Sequence, residues 1–231
     1  SYKTDFSAYQ GQLPLEIPLI SELLQTAGYR TYLQGKWHLG SVPGMQTGAA
    51  LEPAPNVRGF DEFFGFLGGM AAPYPPVWHR PYQHNQHAIE FEEGWFSIAG
   101  LNDKMMQRLK LQFQTEPETP FFVYFASQSP HGPLQAPEVL IEKYRKIYKK
   151  PLEDIWTDRV SRMRQMGLFP PGSPAKIPLF SGKDVDVLRA TAATRAAMIE
   201  ATDTAFGKLL QLLEESGKLE NTLIIVASDN G

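Results

Sequence analysis

The sequence predicts an α/β fold in which a mainly parallel sheet is flanked by helices. Two uninterrupted apolar runs, at residues 120–127 and 222–228, are typical of strands covered on both faces. Helices that alternate with such strands indicate a parallel sheet with helices on both sides. The stretches with a helical pattern are residues 15–26, 101–114, 137–148 and 184–216.

Turn and cap residues support these assignments. Pro18 falls in the first turn of the predicted first helix, where its missing N–H costs nothing, and Gly28 follows the end of that helix. A β-prone run comes next, at residues 29–33. Gly217 stops the long helix that precedes it.

Residues 41–100 are rich in glycine, proline and aromatic side chains. Loops of this length inside a compact domain are usually functional or disordered, and the aromatic content argues against disorder. We therefore predict a loop-rich insertion with short elements, within one domain that spans residues 1–231. A second connection rich in proline and glycine occupies residues 169–182.

Composition excludes several partners and chemistries. The formal net charge is −3 and the basic residues form no stripe, so we expect no nucleic-acid partner. The basic residues at 143–150 are interrupted by aromatic and apolar ones and are interpreted as a solvated helix face. No apolar run is long enough to span a membrane. The sequence has no cysteine, which excludes disulfides, thiolate metal sites and cysteine nucleophiles within it.

Polar side chains follow three of the predicted strands. Lys36 and His38 follow the first, His131 follows the second, and Asp229 with Asn230 follows the last. In open α/β sheets, ligands bind beyond the carboxyl ends of the strands. We therefore expect these residues to converge on one crevice, although they lie far apart in sequence.

The residue types suit an anion and a hard metal ion. Asp229 and Asn230 offer oxygens suited to Ca²⁺ or Mg²⁺, although calcium takes about six to eight oxygens and Asp-Asn-Gly is also a common turn. Lys36 and His38 would point the same way in an extended segment and can donate to an anion; a surface lysine and a packed histidine are the alternative. His131, on a loop stiffened by prolines, can bind an anion or act as an acid or base.

The other histidines lie in or near the proline-rich loop. His84 and His87 have a spacing that binds metals on a helix, but the surroundings indicate a loop and no Asp, Glu or Cys completes a set. Contact at the rim of a substrate site is the alternative for these two and for His79. The sequence contains no nucleophile elbow, phosphate loop or dinucleotide fingerprint.

Several motifs resemble those of the sulfatase family. Residues 28–40, GYRTYLQGKWHLG, resemble its second signature, with Gln34 where a small or β-branched residue is usual. SPHGP at 129–133 resembles the family's His-x-Pro loop, and ASDNG at 227–231 resembles its calcium-binding strand end. Further similar segments are residues 58–65, 197–203 and 142–171, the last being most like bacterial arylsulfatases.

The resemblance implies an alkaline-phosphatase-like α/β fold and hydrolysis of sulfate esters, in small molecules or sulfated glycans. It implies that Lys36 binds the sulfate and a catalytic aldehyde hydrate, that His38 positions this hydrate, and that His131 contacts the sulfate and assists the leaving oxygen. It also implies that Asp229 and Asn230 hold Ca²⁺, and it favours a periplasmic or secreted location.

Three features of the family have no match in this sequence. The first is the early Cys/Ser-x-Pro-x-Arg motif, whose first residue becomes the formylglycine nucleophile, and the second is the acidic pair of calcium ligands on the first strand. The third is a later lysine, which we expect beyond Gly231. We therefore expect an internal stretch of a sulfatase, incomplete at both ends, with its nucleophile upstream and no turnover by this chain alone. The alternatives are a phosphodiesterase or phosphonate monoester hydrolase of the same superfamily and a non-catalytic chain.

Overall fold

A computed structural model describes residues 13–39, 54–76, 81–169 and 184–228. The chain forms two compact units, one made of Ser1–Gln128 with Thr202–Gly231 and the other of Ser129–Ala201. Within the described residues, the first unit contains the sheet and the second is built from helices.

The sheet has five strands in the described part of the chain: β1 (Arg30–Lys36), β2 (Glu62–Phe66), β3 (Gln83–His84), β4 (His87–Ala88) and β5 (Phe121–Ala126). Their order across the sheet is β4-β3-β2-β1-β5. β1 runs parallel to both β2 and β5, whereas β3 and β4 form an antiparallel hairpin beside β2. The parallel strands confirm the predicted fold class.

The helices are α1 (Ile20–Thr26), α2 (Ser97–Thr115), α3 (Glu138–Ile147), α4 (Leu152–Gln165) and α5 (Val185–Glu215). Of these, α2, α3 and α5 confirm predicted helices, and α4 is a helix that the sequence pattern did not reveal. It begins after a proline, with acidic residues in its first turn and arginines in its last, which suits the helix dipole. None of the described helices combines the length and apolar character needed to cross a membrane.

Successive residues of β1 and β2 point to opposite faces of the sheet and enter two separate cores. Tyr32 and Phe64 pack in a large core with α2 and the last turns of α5. Leu33 and Phe63 pack on the other face, with Leu19 just before α1. Both faces of the central strands are therefore covered, and β1 is buried from Thr31 to Gly35.

Small residues bring the three parallel strands close together near their carboxyl ends. Gly35 of β1 lies between Gly65 of β2 and Ala126 of β5. A Cβ on Gly35 would lie 1.9 Å from the Ala126 carbonyl oxygen, and one on Gly65 would lie 1.9 Å from the Gly35 carbonyl oxygen. Any larger residue at either glycine would push the strands apart at the point where β1 delivers Lys36.

The second unit has a small core of its own. Ile141 of α3 packs against Ala197 and Met198 of α5, and all three are buried. The ammonium group of Lys143 lies 2.7 Å from a carboxylate oxygen of Glu200, which joins the same two helices at the surface. The predicted solvated face of α3 is therefore partly used in an ion pair.

The first helix is shorter than predicted, because α1 begins at Ile20 rather than at residue 15. The Arg58 guanidinium donates hydrogen bonds to the carbonyl oxygens of Leu13 and Ile17, at 3.2 and 2.6 Å. These contacts hold the preceding chain outside the helix. They come from a residue far along the sequence, so the local apolar spacing could not reveal them.

The two apolar runs have different outcomes in the described residues. β5 is a strand at the edge of the described sheet: Phe121, Val123 and Phe125 pack on one core and Phe122 on the other. The strand is only partly covered, since Tyr124 is 48% exposed. Residues 222–228 form no helix or strand, and the side chains of Leu223, Ile225 and Val226 are 86%, 81% and 82% exposed. The predicted strand at 222–228 is therefore wrong for the described part of the chain. A strand needs a neighbouring backbone for its hydrogen bonds, and none of the described segments pairs with this one.

Candidate active site

The carboxyl end of β1 carries two of the predicted site residues. Lys36 is the last residue of this strand and is partly buried. The path of the chain remains fixed beyond it, since the Trp37 amide donates to the Phe66 carbonyl oxygen and the His38 amide to that of Leu67, both at 3.0 Å. Lys36 and His38 therefore stand on backbone that the neighbouring β2 segment holds in place.

Trp37 anchors this strand end from the opposite face. Its side chain is buried in the core that contains Leu33, Phe60 and Phe63. The Trp37 and Phe60 rings meet edge to face, with centroids 6.0 Å apart and an interplanar angle of 87°. The tryptophan in the Lys-Trp-His sequence thus fixes the backbone between the two polar residues.

His38 departs from the extended conformation that the sequence prediction assumed. Its φ is 55°, in the left-handed region, and the residue is exposed. The simple alternation that would direct Lys36 and His38 to one face therefore ends at Trp37. The imidazole lies against Gly69 instead, so closely that a Cβ on Gly69 would be 2.8 Å from both Cε1 and Nε2 of His38.

A buried polar network lies where β5 ends. The Gln128 side-chain amide donates to Ser97 Oγ at 2.9 Å, and the Tyr82 hydroxyl lies 3.1 Å from Gln128 Oε1 and 2.9 Å from the Ala72 carbonyl oxygen. Burial raises the pKa of Tyr82 to about 12, so the phenol stays protonated and can donate. The sequence prediction missed this network. The polar Gln128 directly after an apolar strand was the available signal.

Gln34, the residue that departs from the family pattern, points into the same region. Its side chain is buried, and its Oε1 has no hydrogen-bond partner among the described residues. It lines a cavity of about 20 Å³ together with Ser97 and Gln128. A cavity of this size holds about one water molecule, which would satisfy the Gln34 oxygen.

His131 belongs to the second unit and is exposed. Its Nδ1 lies 2.8 Å from the Gly132 carbonyl oxygen. A carbonyl oxygen only accepts, so Nδ1 carries a proton and donates, and Nε2 is the nitrogen available to a ligand. Asp229 and Asn230 lie outside the described residues. Within the described ranges, no group of three or more His, Cys, Asp or Glu side chains could hold a metal ion.

The remaining histidines show no metal arrangement in the described residues. His84 Nε2 lies 2.6 Å from a Glu62 carboxylate oxygen, Arg108 binds the other oxygen, and the His84 ring stacks on Phe64. Glu62 begins β2, at the opposite end of the strand from the Lys36 edge. His87 faces His84 across the hairpin and is exposed, and His79 lies outside the described residues.

The Arg-Gly-Phe-Asp segment at residues 58–61 joins α1 to the central strands. Arg58 is fully buried, and its Nε lies 2.8 Å from a carboxylate oxygen of Glu22 in α1. The Asp61 carboxylate accepts hydrogen bonds from the amide and hydroxyl of Thr31 in β1. Gly59 has a φ of 79°, and a Cβ there would be 2.4 Å from the Glu22 amide nitrogen. The described contacts of this segment are structural.

The fold and the end of β1 together define an α/β protein that presents an ammonium and an imidazole at the carboxyl edge of a parallel sheet. The chain belongs to the sulfatase family, whose model matches residues 1–231.

Individual relatives agree with this assignment. The chain is 30% identical to an arylsulfatase of Klebsiella aerogenes, over 96% of this chain and 49% of that protein. It is 31% identical to an uncharacterised sulfatase of Schizosaccharomyces pombe, over 96% of this chain and 42% of that protein. It thus spans less than half the length of these relatives. The crystal structure of Ps i-CgsB with k-i-k-neocarrahexaose shares the fold, with a TM-score of 0.57 and 24% identity over 90% of this chain and 38% of that one.

Proposed function

We propose that the full-length protein hydrolyses sulfate esters. The observation that supports this most directly is the end of β1, where a strand buried on both faces presents Lys36 and His38 on a fixed backbone. Sulfate carries its negative charge on several oxygens, and catalysis of its transfer depends on positive and hydrogen-bonding groups held in place beforehand. Membership of the sulfatase family supports the same reaction.

Each proposed site residue has a distinct task. The Lys36 ammonium binds the sulfate oxygens and balances their charge. The His38 imidazole orients the nucleophilic group. The Nδ1–H of His131 donates to the Gly132 carbonyl oxygen, which leaves Nε2 as the nitrogen that can act on a substrate; in the imidazolium form, Nε2–H would donate a proton to the leaving oxygen.

Two further groups are part of the proposal. Asp229 and Asn230 offer oxygens of the kind Ca²⁺ prefers, and they would fill two of its roughly six to eight positions. A bound calcium ion supplies positive charge to the sulfate oxygens. The nucleophile is a formylglycine encoded outside this sequence. We therefore expect this chain alone to show no sulfatase turnover and weak or absent calcium affinity, which calorimetry would measure; sub-micromolar binding would contradict this expectation.

Two substrate classes are in competition. The name of the Klebsiella relative favours an aryl sulfate, and the glycan bound to Ps i-CgsB prompts a sulfated glycan as the alternative. Turnover of a small aryl sulfate by the full-length protein, compared with release of sulfate from sulfated oligosaccharides, would separate them. Faster release from oligosaccharides would assign the glycan class.

The reaction itself is tested by comparing three substrates of the full-length protein. We expect kcat/KM for an aryl sulfate to exceed that for the matching aryl phosphate and for an aryl phosphodiester. Faster cleavage of either phosphorus ester would instead assign the protein to the phosphodiesterases or phosphonate monoester hydrolases. Absence of turnover with all three would favour a non-catalytic protein.

A further inference from the structure

The imidazole of His38 is held by an unusual pair of local features. The residue takes a left-handed backbone conformation, with a φ of 55°, which L residues other than glycine adopt infrequently. Its amide is fixed by the Leu67 carbonyl oxygen at 3.0 Å. The backbone therefore has little freedom, and the neighbours of the ring contribute to placing the imidazole.

The ring packs against Gly69, two residues after Leu67. A Cβ on Gly69 would lie 2.8 Å from both Cε1 and Nε2 of His38 and 3.3 Å from Nδ1. Gly69 does not have a positive φ. Backbone strain therefore does not explain why residue 69 is a glycine, whereas the space that the His38 ring occupies does explain it.

We propose that Gly69 is a positioning residue for His38: its missing side chain leaves the space in which the imidazole reaches its working place at the carboxyl end of β1. The expected change in kcat rests on the proposed sulfatase function. The contact between Gly69 and the His38 ring is independent of that function.

The size of the expected displacement follows from the distances. Ordinary contact begins at 3.4 Å, so an added methyl group requires the ring edge, now 2.8 Å away, to retreat by at least about 0.6 Å. Catalytic groups must be held within about 0.5 Å of their working geometry, and a shift of about 1 Å can cost roughly 100-fold in rate. The atoms that meet the new methyl are the far end of a side chain, so the ring moves and the fold survives.

The first test is structural. The full-length protein would be labelled at the Cε1 position of histidine, and the His38 resonance assigned by its loss in His38→Asn. Gly69→Ala should shift the His38 signal. The control is Gly207→Ala, the same chemical change at a glycine of α5 where a Cβ would meet nothing within 4 Å. An unchanged His38 signal in Gly69→Ala would overturn the proposal.

The second test is kinetic. Gly69→Ala should lower kcat for an aryl sulfate by about 10- to 100-fold with KM nearly unchanged, because the orientation of His38 is altered and substrate contacts are not. Gly207→Ala should leave both values unchanged. A Gly69→Ala enzyme with wild-type kcat, or with only a raised KM, would contradict the proposal.

Two further outcomes distinguish the proposed contact from a general loss of folding and from failure of the proposed function. If Gly69→Ala fails to fold, combining it with His38→Asn should restore the wild-type Tm, since the shorter side chain vacates the space; failure to restore it would refute the contact. If the wild-type protein hydrolyses no sulfate ester, the proposed function fails, and the His38 resonance still decides whether Gly69 places the ring.

Discussion

Replacing Arg58 by methionine tests the structural explanation of the Arg-Gly-Phe-Asp segment. Arg58 is 1% exposed at the side chain, and it joins the Glu22 carboxylate to two backbone carbonyl oxygens. Methionine keeps much of the volume and removes every donor. Hydrogen bonds made by a charged group contribute about 1.5–3 kcal/mol each. Loss of one partner of a buried ion pair costs about 3–5 kcal/mol.

Glu22 is 28% exposed and can regain water, so the lower end of this range applies. We expect Arg58→Met to reduce the free energy of unfolding by about 3 kcal/mol. Arg30 provides the matched control: it makes two hydrogen bonds to Glu116 at 2.8 and 3.0 Å, but the two side chains are 46% and 37% exposed. Arg30→Met should therefore cost less than about 1 kcal/mol.

The assay is urea unfolding of the full-length protein, followed by tryptophan fluorescence and circular dichroism. The free energies of unfolding of the two variants should differ by at least about 2 kcal/mol, with equal m-values. Equal stabilities of Arg58→Met and Arg30→Met would refute the reasoning, because burial would then not distinguish the two arginine–glutamate pairs.

Three further predictions concern the same unit. The Arg58 hydrogen bond holds the pKa of Glu22 below its usual 4.5. The Glu22–Arg58 pair therefore contributes fully to the free energy of unfolding above about pH 4.5, and this contribution is lost as the pH falls through the lower pKa of Glu22 in the folded state. The stability difference between the wild type and Arg58→Met should shrink in acid, and a constant difference from pH 7 to pH 3 would contradict this. Tyr82→Phe should cost about 1–3 kcal/mol in thermal unfolding, because it removes the one O–H donor that the Ala72 carbonyl oxygen and Gln128 Oε1 share; a loss below about 0.5 kcal/mol would show that the network is not stabilising. Gln34→Leu should leave the urea midpoint unchanged or raise it, because it replaces a buried oxygen that has no protein partner in the described residues with an apolar side chain; a clearly lowered midpoint would contradict this.

Part of the fold could be predicted from the sequence because its signals are local. α2 and α5 are long and periodic, β5 is a compact apolar run, and β1 begins in a short β-prone run after the glycine that ends α1, so spacing and composition were sufficient. β2 was missed, since its EFFGF sequence contains a charge and a glycine within a loop-like region. Glu62 is tolerated in that strand because His84 and Arg108 bind its two oxygens. Those partners come from distant segments that no local pattern could show.

Some residues of the candidate site could also be predicted from local sequence signals, and others could not. Lys36 and His38 could be predicted, because a strand end followed by polar residues is a local signal. Gly69 and the left-handed conformation of His38 could not, since the contact joins two segments that lie about thirty residues apart in sequence and depends on their pairing beyond β1 and β2. Gln34 stood out only as a departure from the family pattern, and the structure shows that it lines a small buried cavity.

The most direct test of the central proposal is the turnover of an aryl sulfate by the full-length protein carrying Lys36→Met. Removing one preorganised charge that stabilises the reacting group costs about 100- to 1,000-fold in kcat. We predict a loss of this size in a folded variant, and near-wild-type activity for Lys110→Met, which removes an exposed lysine of α2. Full activity of the Lys36→Met enzyme would contradict the proposal that the end of β1 binds the sulfate.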